Sequence, residues 1–366
     1  MKIVFDKEEL LSKLSLASRF TSSRLSSVSS LQGVLIISEG DKLALYSTNL
    51  NSYFKTSLKG RAVAKTKILI EPRKIIEFLS FLSQGKVEME ITDRKLILTR
   101  DKTGGAFPLM EGKDFPQPPD LAKEKEQKTK TDFLLKNLPL LLFSASPDET
   151  RPVLTGINFI TQDEDLIIVA TDGFRLSLFK TKKEIPVPQM LIPREFLEEV
   201  LKLIKDEEEV GLIFSSKEKT FSVRVGETQL YSRLIEGDFP PYEKVIPAEH
   251  KMRVILDKEE FMNNIKLISV FARDFSNIVI LDFSKDGLVM KPKMDGEEQT
   301  SAWQEIQMEG EPQQVAFNFK FILDFLNQTT SKKVVVEILR PDAPAVFKLE
   351  GNKDFIHIIM PVRLQA

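Results

Sequence analysis

A short pattern of apolar and polar residues occurs three times along the chain, at residues 72–79, 193–200 and 319–326. Each copy has a cation at its second position, apolar residues at its fourth, fifth and eighth positions, and an acidic residue at its sixth. Apolar residues spaced at i, i+1 and i+4 fall on one side of an α-helix. The pattern therefore predicts three amphipathic helices, separated by 121 and 126 residues.

A second pattern precedes this helix in the outer two copies, in two stretches that are 251 residues apart. In each stretch a short apolar segment ends at an aspartate, Asp6 or Asp257, and a glutamate follows three residues later. This spacing is typical of a capping box, in which the aspartate accepts hydrogen bonds from the first helical amides. The middle copy differs: Asp132 is placed to begin its helix, and we expect Pro139 to kink or end it.

The repeat divides the chain into three similar units. The sequence Asp-Phe-Pro begins at residues 114 and 238, a separation of 124, and closes the first two units. Stretches of alternating apolar residues between the helices predict strands, and linkers rich in proline or charge are plausible between the units. We therefore predict an α+β protein with three domains, at residues 1–120, 128–247 and 251–366.

The composition is that of an ordinary folded protein, with 42% apolar and 29% charged residues in a chain of 366. Lys and Arg number 52 against 54 Asp and Glu, which gives a net charge of −2. The chain therefore lacks the overall positive charge that many nucleic-acid-binding proteins use. Any binding to nucleic acid must come from a local basic patch.

The absence of cysteine excludes disulfides, thiolate metal sites and cysteine nucleophiles, and it fits the cytoplasm. Charged residues interrupt the amino terminus before an apolar signal core could form, and no apolar run approaches the ~20 residues of a membrane span. We expect a cytoplasmic protein without a membrane segment.

Few residues point to catalysis. A P-loop is missing, and two histidines, His250 and His357, are too few for a histidine metal cage. Asp172-Gly173 follows an apolar strand and is either a tight turn or a catalytic carboxylate. We expect no metal and no other cofactor.

Three stretches, Ala170-Thr171-Asp172-Gly173-Phe174-Arg175-Leu176, residues 149–156 and residues 358–364, resemble in order and spacing the bacterial sliding clamp, the β subunit of DNA polymerase III. With the threefold repeat, the resemblance covers nearly the whole chain. It implies the DNA-clamp fold, in which each of three domains packs two helices on antiparallel sheets and a head-to-tail homodimer closes a ring.

The resemblance also implies a function. Members of this family are DNA polymerase processivity factors without enzymatic activity, and they encircle double-stranded DNA regardless of its sequence. Their partners are DNA polymerase III and other polymerases, the clamp loader and mismatch repair proteins.

Simple geometry agrees with a dimeric ring. Twelve helices spaced roughly 10 Å apart trace a circle about 38 Å across and leave a hole of about 28 Å, which admits a duplex about 20 Å wide. Six helices from a single chain would leave only about 9 Å by the same arithmetic. The implied ring therefore requires two copies.

The cation of each repeated helix gains a possible role in such a ring, because diffuse contacts to phosphates allow sliding and weaken as salt rises. Arg24, in a Ser-rich loop, aligns with a DNA-contacting arginine of the family, although this chain has Ser26-Ser27-Val28-Ser29-Ser30 where a proline-containing stretch is usual. Lys7 and Lys258, at equivalent positions of the first and third units, are further candidates. The alternative for each is an ordinary exposed cation. The expected DNA-facing set is Arg24, Arg73, Lys136, Arg194, Lys202 and Lys320.

Family members bind a short, extended, hydrophobic peptide of their partners in a pocket between the second and third domains. The apolar walls would bury a Leu or Phe anchor, and Arg175 and Arg363 would orient the polar atoms of the peptide. Phe174 replaces a usual His or Tyr, Val362 replaces a frequent Met, and Gln365-Ala366 extend past the usual last residue. The matching positions are Leu154, Thr171, Gly173, Phe174, Arg175, Leu176, Pro240, Lys244, Val245, Asn318, Phe321, Ile358, Met360, Pro361, Val362, Arg363 and Leu364.

The resemblance places ring closure between residues 95–109 of one copy and residues 267–283 of the other. The apolar candidates there are Phe107, Ile268, Phe271 and Phe275, each of which could equally be internal packing.

Two other classes of protein remain open. A hydrolase could use carboxylates such as Asp172 with a metal. A β-rich single-strand-binding protein would need exposed aromatic platforms, for which Trp303 and four tyrosines are a small supply.

Overall fold

The computed structural model of the chain describes residues 2–22, 28–39, 42–59, 66–112, 114–273, 277–293 and 300–364. The chain separates into two compact units, one of Met1–Thr131 with Lys202–Leu234 and one of Asp132–Leu201 with Ile235–Ala366. No helix within these described stretches is long and apolar enough to cross a membrane.

The helices are α1 Lys7–Ser18, α2 Pro72–Phe81, α3 Thr131–Asn137, α4 Pro139–Leu142, α5 Arg194–Leu203, α6 Lys258–Ala272 and α7 Phe319–Gln328. The strands are β1 Lys2–Asp6, β2 Val34–Glu39, β3 Lys42–Thr48, β4 Ser52–Lys59, β5 Lys67–Ile70, β6 Lys86–Ile91, β7 Lys95–Arg100, β8 Thr103–Met110, β9 Glu126–Lys130, β10 Gly156–Gln162, β11 Asp165–Thr171, β12 Arg175–Lys182, β13 Met190–Pro193, β14 Glu209–Ser215, β15 Thr220–Val225, β16 Thr228–Arg233, β17 Met252–Asp257, β18 Ile278–Ser284, β19 Gly287–Pro292, β20 Ala302–Gln304, β21 Gln307–Gly310, β22 Gln313–Asn318, β23 Lys333–Ile338, β24 Ala345–Leu349 and β25 Phe355–Ile359.

The three repeated helices are confirmed as α2, α5 and α7. The fourth and eighth residues of the pattern are buried in all three, for example Ile75 and Leu79 in α2 and Ile322 and Leu326 in α7. The apolar stripe therefore faces the core, as the spacing predicts.

The aspartate caps are confirmed as well. Asp6 Oδ1 accepts hydrogen bonds from the amides of Glu8 and Glu9 at 3.0 and 3.1 Å, and Asp257 Oδ1 accepts one from Glu260 at 2.9 Å. These bonds satisfy amides that have no partner inside the first turn of α1 and α6.

The middle copy is broken where its proline predicts. Helix α3 ends at Asn137, and α4 begins at Pro139. Proline fits the first turn of a helix because it has no amide hydrogen to donate, and the same property prevents α3 from continuing through it.

The first unit is built on one antiparallel sheet of twelve strands, in the order β1-β6-β7-β8-β5-β2-β3-β4-β16-β15-β14-β9. Pairing of β4 with β16, where Tyr53 lies opposite Tyr231, joins strands of the first third of the chain to strands of the middle third. The segment that follows β8 packs on this sheet through Phe115 and Leu121.

The second unit contains a nine-stranded sheet, in the order β13-β10-β11-β12-β25-β24-β23-β17-β21, and a four-stranded sheet, in the order β20-β19-β18-β22. The last strand, β25, pairs antiparallel with β12, so that Arg175 lies opposite Ile359 and Ser177 opposite His357. The carboxyl-terminal residues are thereby brought beside the turn that connects β11 and β12.

An aromatic cluster forms the core under α7. The ring of Phe325 lies against Phe347 and Phe355 and stacks on His357, with centroids 5.7, 6.3 and 5.2 Å apart. All four side chains are fully buried.

One glycine of this unit is required by a close approach. Gly310, at the end of β21, has φ +94°, and a Cβ atom there would lie 1.9 Å from the carbonyl oxygen of Lys251. Only glycine fits this position.

Candidate functional site

The turn between β11 and β12 is held by its own side chains. Asp172 Oδ1 accepts hydrogen bonds from the amides of Phe174 and Arg175 at 2.9 and 3.0 Å. The Thr171 hydroxyl accepts from the amide of Gly173 at 3.0 Å and donates to the carbonyl of Arg175 at 2.6 Å. Gly173 has φ +93°, a conformation that favours glycine. The turn is therefore rigid, and it holds Phe174 outward with 59% of its surface exposed.

The structure distinguishes the two roles that the sequence left open for Asp172, a turn residue or a catalytic carboxylate. Its side chain is buried and accepts hydrogen bonds within the turn, which makes it a turn residue. Among the residues that the structure describes, no three of His, Cys, Asp or Glu are grouped to hold a metal ion.

The carboxyl-terminal segment runs beside this turn. The amide of Met360 donates to the carbonyl of Phe174 at 2.9 Å, and the amide of Val362 donates to the carbonyl of Ala316 in β22 at 2.8 Å. These bonds leave Met360 and Leu364 each 37% exposed. The segment therefore borders a surface that also includes Phe174.

Arg175 lies at the centre of the site with its charge already matched. Its Nε donates to Asp172 Oδ2 at 3.0 Å, and its Nη1 donates to Asp324 Oδ2 of α7 at 2.5 Å. The guanidinium stacks 4.7 Å from the centroid of the Phe321 ring and 5.5 Å from that of Phe143. The side chain of Arg175 is only 10% exposed, so the structure gives it internal partners where the sequence suggests a contact with the peptide.

A pair of stacked aromatic rings, which we call the aromatic wall, connects Arg175 to the surface. The rings of Phe174 and Phe321 stack with centroids 6.4 Å apart and an interplanar angle of 20°. Asn318 caps α7, because its Oδ1 accepts from the amide of Lys320 at 3.0 Å. The cap and the stack fix the start of α7 beside the turn.

A buried apolar cluster underlies the site and consists of Ile167, Val169, Leu176, Tyr242, Val346 and Ile358. Burial, together with the neighbouring Glu243, raises the pKa of the Tyr242 phenol to about 12, so that it stays neutral. Leu176 and Ile358 are thus core residues that support the surface from below.

The remaining expected pocket residues differ in exposure. Leu154 is buried in a short 3-10 turn, Pro152–Leu154, while Val245 is 38% exposed and Pro240 and Lys244 are exposed on the segment around Tyr242. Pro361 and Val362 are half-buried and Arg363 is exposed. The contacts described above therefore bring together Thr171–Leu176, Asn318, Phe321 and residues 358–362.

Two contributors to the site were missed by sequence reasoning. Asp324 is the acidic residue of the third repeat, and Phe143 follows α4. The acidic residue at the sixth position of the repeat indicates an ion pair, but not its partner. In α5 the matching Glu198 accepts from Arg194 Nε on its own helix at 2.7 Å, whereas Asp324 of α7 binds Arg175 of β12.

The expected DNA-facing cations divide into two groups. Arg73, Lys136, Lys202 and Lys320 are exposed, whereas Arg194 is bound to Glu198. Arg24 lies outside the described residues.

Lys7 and Lys258 do not fit the role that the sequence suggests. Lys7 is buried and donates to Glu8 at 2.8 Å, and Lys258 donates to the carbonyl of Thr329 at 2.9 Å. Both cations therefore have partners within the protein.

The candidates for ring closure also divide. Ile268 is fully buried, so that its side chain belongs to the core, whereas Phe271 is 39% exposed. Phe107 is half-buried against Phe78, with ring centroids 5.5 Å apart. Phe275 lies outside the described residues.

Comparison with known proteins identifies the family. Three models of the DNA polymerase III beta subunit match the chain: the N-terminal domain at residues 1–119, the central domain at 129–241 and the C-terminal domain at 243–363. The chain is 25% identical to the beta sliding clamp of Bacillus subtilis (strain 168), with 99% of this chain and 100% of the relative covered. It is 27% identical to that of Treponema pallidum (strain Nichols), with both chains covered completely.

Solved structures agree on the fold. The DNA polymerase III beta subunit of Thermotoga maritima superimposes with a TM-score of 0.92 at 21% identity, and the sliding clamp of Bacillus subtilis with 0.91 at 23%; both comparisons cover each chain completely. The fold is the three-domain clamp fold of helices on antiparallel sheets. The chain belongs to the DNA polymerase III β-subunit family, the sliding clamps, and it is a processivity factor and not an enzyme.

Proposed function

We propose that two copies of this chain close head to tail into a ring around double-stranded DNA in the cytoplasm and tether the replicative polymerase to it. The three domains would be residues 1–120, 128–247 and 251–366. The clamp loader, other polymerases and mismatch repair proteins would use the same ring. The observations that carry the proposal are an exposed apolar patch on the second unit and, on the first unit, an exposed phenylalanine near a strand edge without a partner among the described residues.

The patch of the second unit lies on α6 and on the edge of its smaller sheet. Leu267, Val270 and Phe271 of α6 are 50%, 60% and 39% exposed, and Trp303 of the edge strand β20 is 56% exposed. Contiguous exposed apolar side chains of this kind mark interaction surfaces. Leu267, Val270 and Trp303 would therefore join Phe271 in the proposed interface, and the buried Ile268 would not belong to it.

In the first unit, Phe81 is 83% exposed at the end of α2. Helix α2 contacts β8 through Phe78 and Phe107. Residues 103–108 of β8 pair with β7 on one side, and among the described residues β5 pairs with Leu109 and Met110 and leaves the other edge of residues 103–108 without a partner. A strand with an unpaired edge can accept another strand. We propose that β8 of one copy meets β20 of the other, with Phe81 of one copy against the apolar patch of the other.

Contact with DNA would use exposed cations from all three domains: Arg73, Lys136 and Lys320, with Lys202. Such cations bind phosphates, and phosphate contacts position a duplex without reading its sequence. Arg194 would contribute less because Glu198 neutralises it in part. This arrangement supports sliding.

Partners would bind a hydrophobic peptide segment on the surface bordered by Phe174, Val245, Met360 and Leu364, which we call the peptide groove. These four side chains supply exposed apolar area, and a rigid turn and a hydrogen-bonded terminal segment hold three of them. A preformed apolar surface binds a peptide without the cost of ordering itself.

Retention on DNA tests the ring. Clamps loaded by a clamp loader onto a nicked circular plasmid should remain bound through gel filtration and should be lost after the plasmid is cut once. Val270→Asp, which places a charge in the proposed interface, should be lost from both forms. Equal retention of the unaltered protein on circular and linear DNA would contradict encirclement.

Removal of residues 360–366 tests the groove. The truncated chain should lose binding to a polymerase-derived hydrophobic peptide, measured by fluorescence anisotropy, and should keep the mass of the full-length protein assembly. Unchanged peptide affinity would exclude this segment as part of the groove.

A further inference from the structure

Three charged side chains, Asp172, Arg175 and Asp324, lie together beside the peptide groove, and the most exposed of them is the carboxylate of Asp324. Arg175 lies between two carboxylates, and its side chain is 10% exposed, while those of Asp172 and Asp324 are 12% and 44% exposed. Two negative charges surround one positive charge, so that the group carries a net charge of −1. A ligand that approaches from solvent therefore meets the carboxylate of Asp324 before it meets the guanidinium.

Asp324 binds the guanidinium where it lies over an aromatic ring. Phe321 and Asp324 are three residues apart on α7 and therefore share one face of the helix. Arg175 stacks on the ring of Phe321 and donates to Asp324 from the same position. The ring of Phe321 in turn stacks on the exposed Phe174. Asp324 thus acts on the aromatic wall of the groove through Arg175.

We propose that Asp324 is a positioning residue that sets the charge preference of the groove: it holds Arg175 over the ring of Phe321 and makes the groove reject an acidic side chain of the bound peptide beside Phe174. The inference rests on the peptide groove proposed above. Lys244 and Arg363 are exposed. Arg151, whose Nη1 lies 3.6 Å from the Cβ position of Gly173, is paired with Asp148. The rejection is therefore confined to peptide positions next to Phe321 and Asp324. Neutral and basic side chains are accepted there.

The test measures peptide affinity as a function of peptide charge. Fluorescein-labelled peptides with a fixed Leu-Phe anchor carry Gln, Glu or Lys at each flanking position in turn, and their Kd values are measured by anisotropy at low salt. For the unaltered protein, Glu should weaken binding about three- to fivefold relative to Gln at one or two adjacent positions, which is the size expected for one exposed charge pair. The effect should shrink at 0.5 M salt.

Three variants separate charge from structure. Asp324→Asn should bring the Glu to Gln ratio close to one at the sensitive positions. Asp324→Glu, which keeps the charge, should preserve the ratio of the unaltered protein. Asp165→Asn is the matched control: Asp165 is a carboxylate paired with Lys180 and Lys182, and it lies about 20 Å from Thr171 at the opposite end of β11. This control should also preserve the ratio.

The outcomes distinguish this inference from the groove itself. If the unaltered protein binds the Gln peptide but shows no penalty for Glu at any position, or if Asp324→Asn keeps the penalty, Asp324 does not set the charge preference and the groove still stands. A uniform change of all Kd values in Asp324→Asn also overturns the inference, because a purely structural role predicts it. If the unaltered protein binds none of the peptides, the groove and the inference both fail.

Discussion

Acid should destabilise the second unit through one buried histidine. His357 is fully buried; its Nδ1 lies 2.9 Å from the Ser177 hydroxyl oxygen, and that oxygen lies 2.7 Å from the hydroxyl of Ser144. Its Nε2 has no hydrogen-bond partner among the described residues. Burial, with the nearby charge of Arg175 in addition, holds the pKa of His357 well below its ordinary value of 6.5.

The sign of the effect follows from which state takes up the proton. Below pH 6.5 the unfolded chain protonates this histidine and the folded chain does not, so that acid favours unfolding. The contribution to stability is complete above the unfolded pKa and is lost as pH falls below it. With an unfolded pKa of about 6.5, the loss at pH 5.5 relative to neutral pH is on the order of 1 kcal/mol.

The assay compares urea unfolding, followed by circular dichroism, at pH 7.5, 6.5 and 5.5 for the unaltered protein and for His357→Phe. Phenylalanine keeps the ring beside Phe325 and removes the titrating group, at a cost of about 1 kcal/mol for the lost hydrogen bond. Between pH 7.5 and 5.5, the free energy of unfolding should therefore fall by on the order of 1 kcal/mol less in the variant than in the unaltered protein.

A destabilised variant that keeps the histidine serves as the control. Phe347→Leu removes buried surface from the same cluster and should retain the pH dependence of the unaltered protein. The reasoning is refuted if His357→Phe and the unaltered protein lose the same free energy between pH 7.5 and 5.5.

Three further predictions concern backbone, interface and DNA. Gly310→Ala should lower the urea midpoint strongly, because its Cβ would overlap the Lys251 carbonyl at a position with φ +94°; a midpoint unchanged within error would be inconsistent with that contact. Val270→Asp should shift the assembly toward single chains in sedimentation, since it buries a charge in the proposed interface, and a variant that remains dimeric would move the interface elsewhere. Lys320→Glu should reduce the dependence of DNA affinity on salt by about one to two units of slope, with Lys285→Glu, on an exposed turn, as the matched control that keeps it.

Local signals in the sequence were sufficient for the elements that repeat. The spacing of apolar residues located α2, α5 and α7. The aspartate caps of α1 and α6 could be predicted as well, because each capping bond joins residues two or three positions apart in the sequence. Pro139 broke the middle helix for an equally local reason, the missing amide hydrogen. Interactions within one turn of a helix can be predicted from the sequence because they join residues that are close together in it.

Contacts between segments that are distant in the sequence could not be predicted in this way. Arg175 and Asp324 are 149 residues apart, and only the pairing of β12 with β25 and the packing of α7 bring them together. The same limit applies to α6, where Ile268 and Val270 are both apolar and one is buried while the other is 60% exposed. Spacing indicates that a helix has an apolar face, but which neighbouring face covers it depends on the tertiary structure.

The most direct test of the central claim, that two copies form the functional ring, is the mass of the protein in solution by sedimentation equilibrium across a range of concentrations. The account predicts a particle of about 83 kDa, twice the 41.7 kDa of one chain, that persists on dilution. A stable particle of 41.7 kDa at every concentration would contradict it.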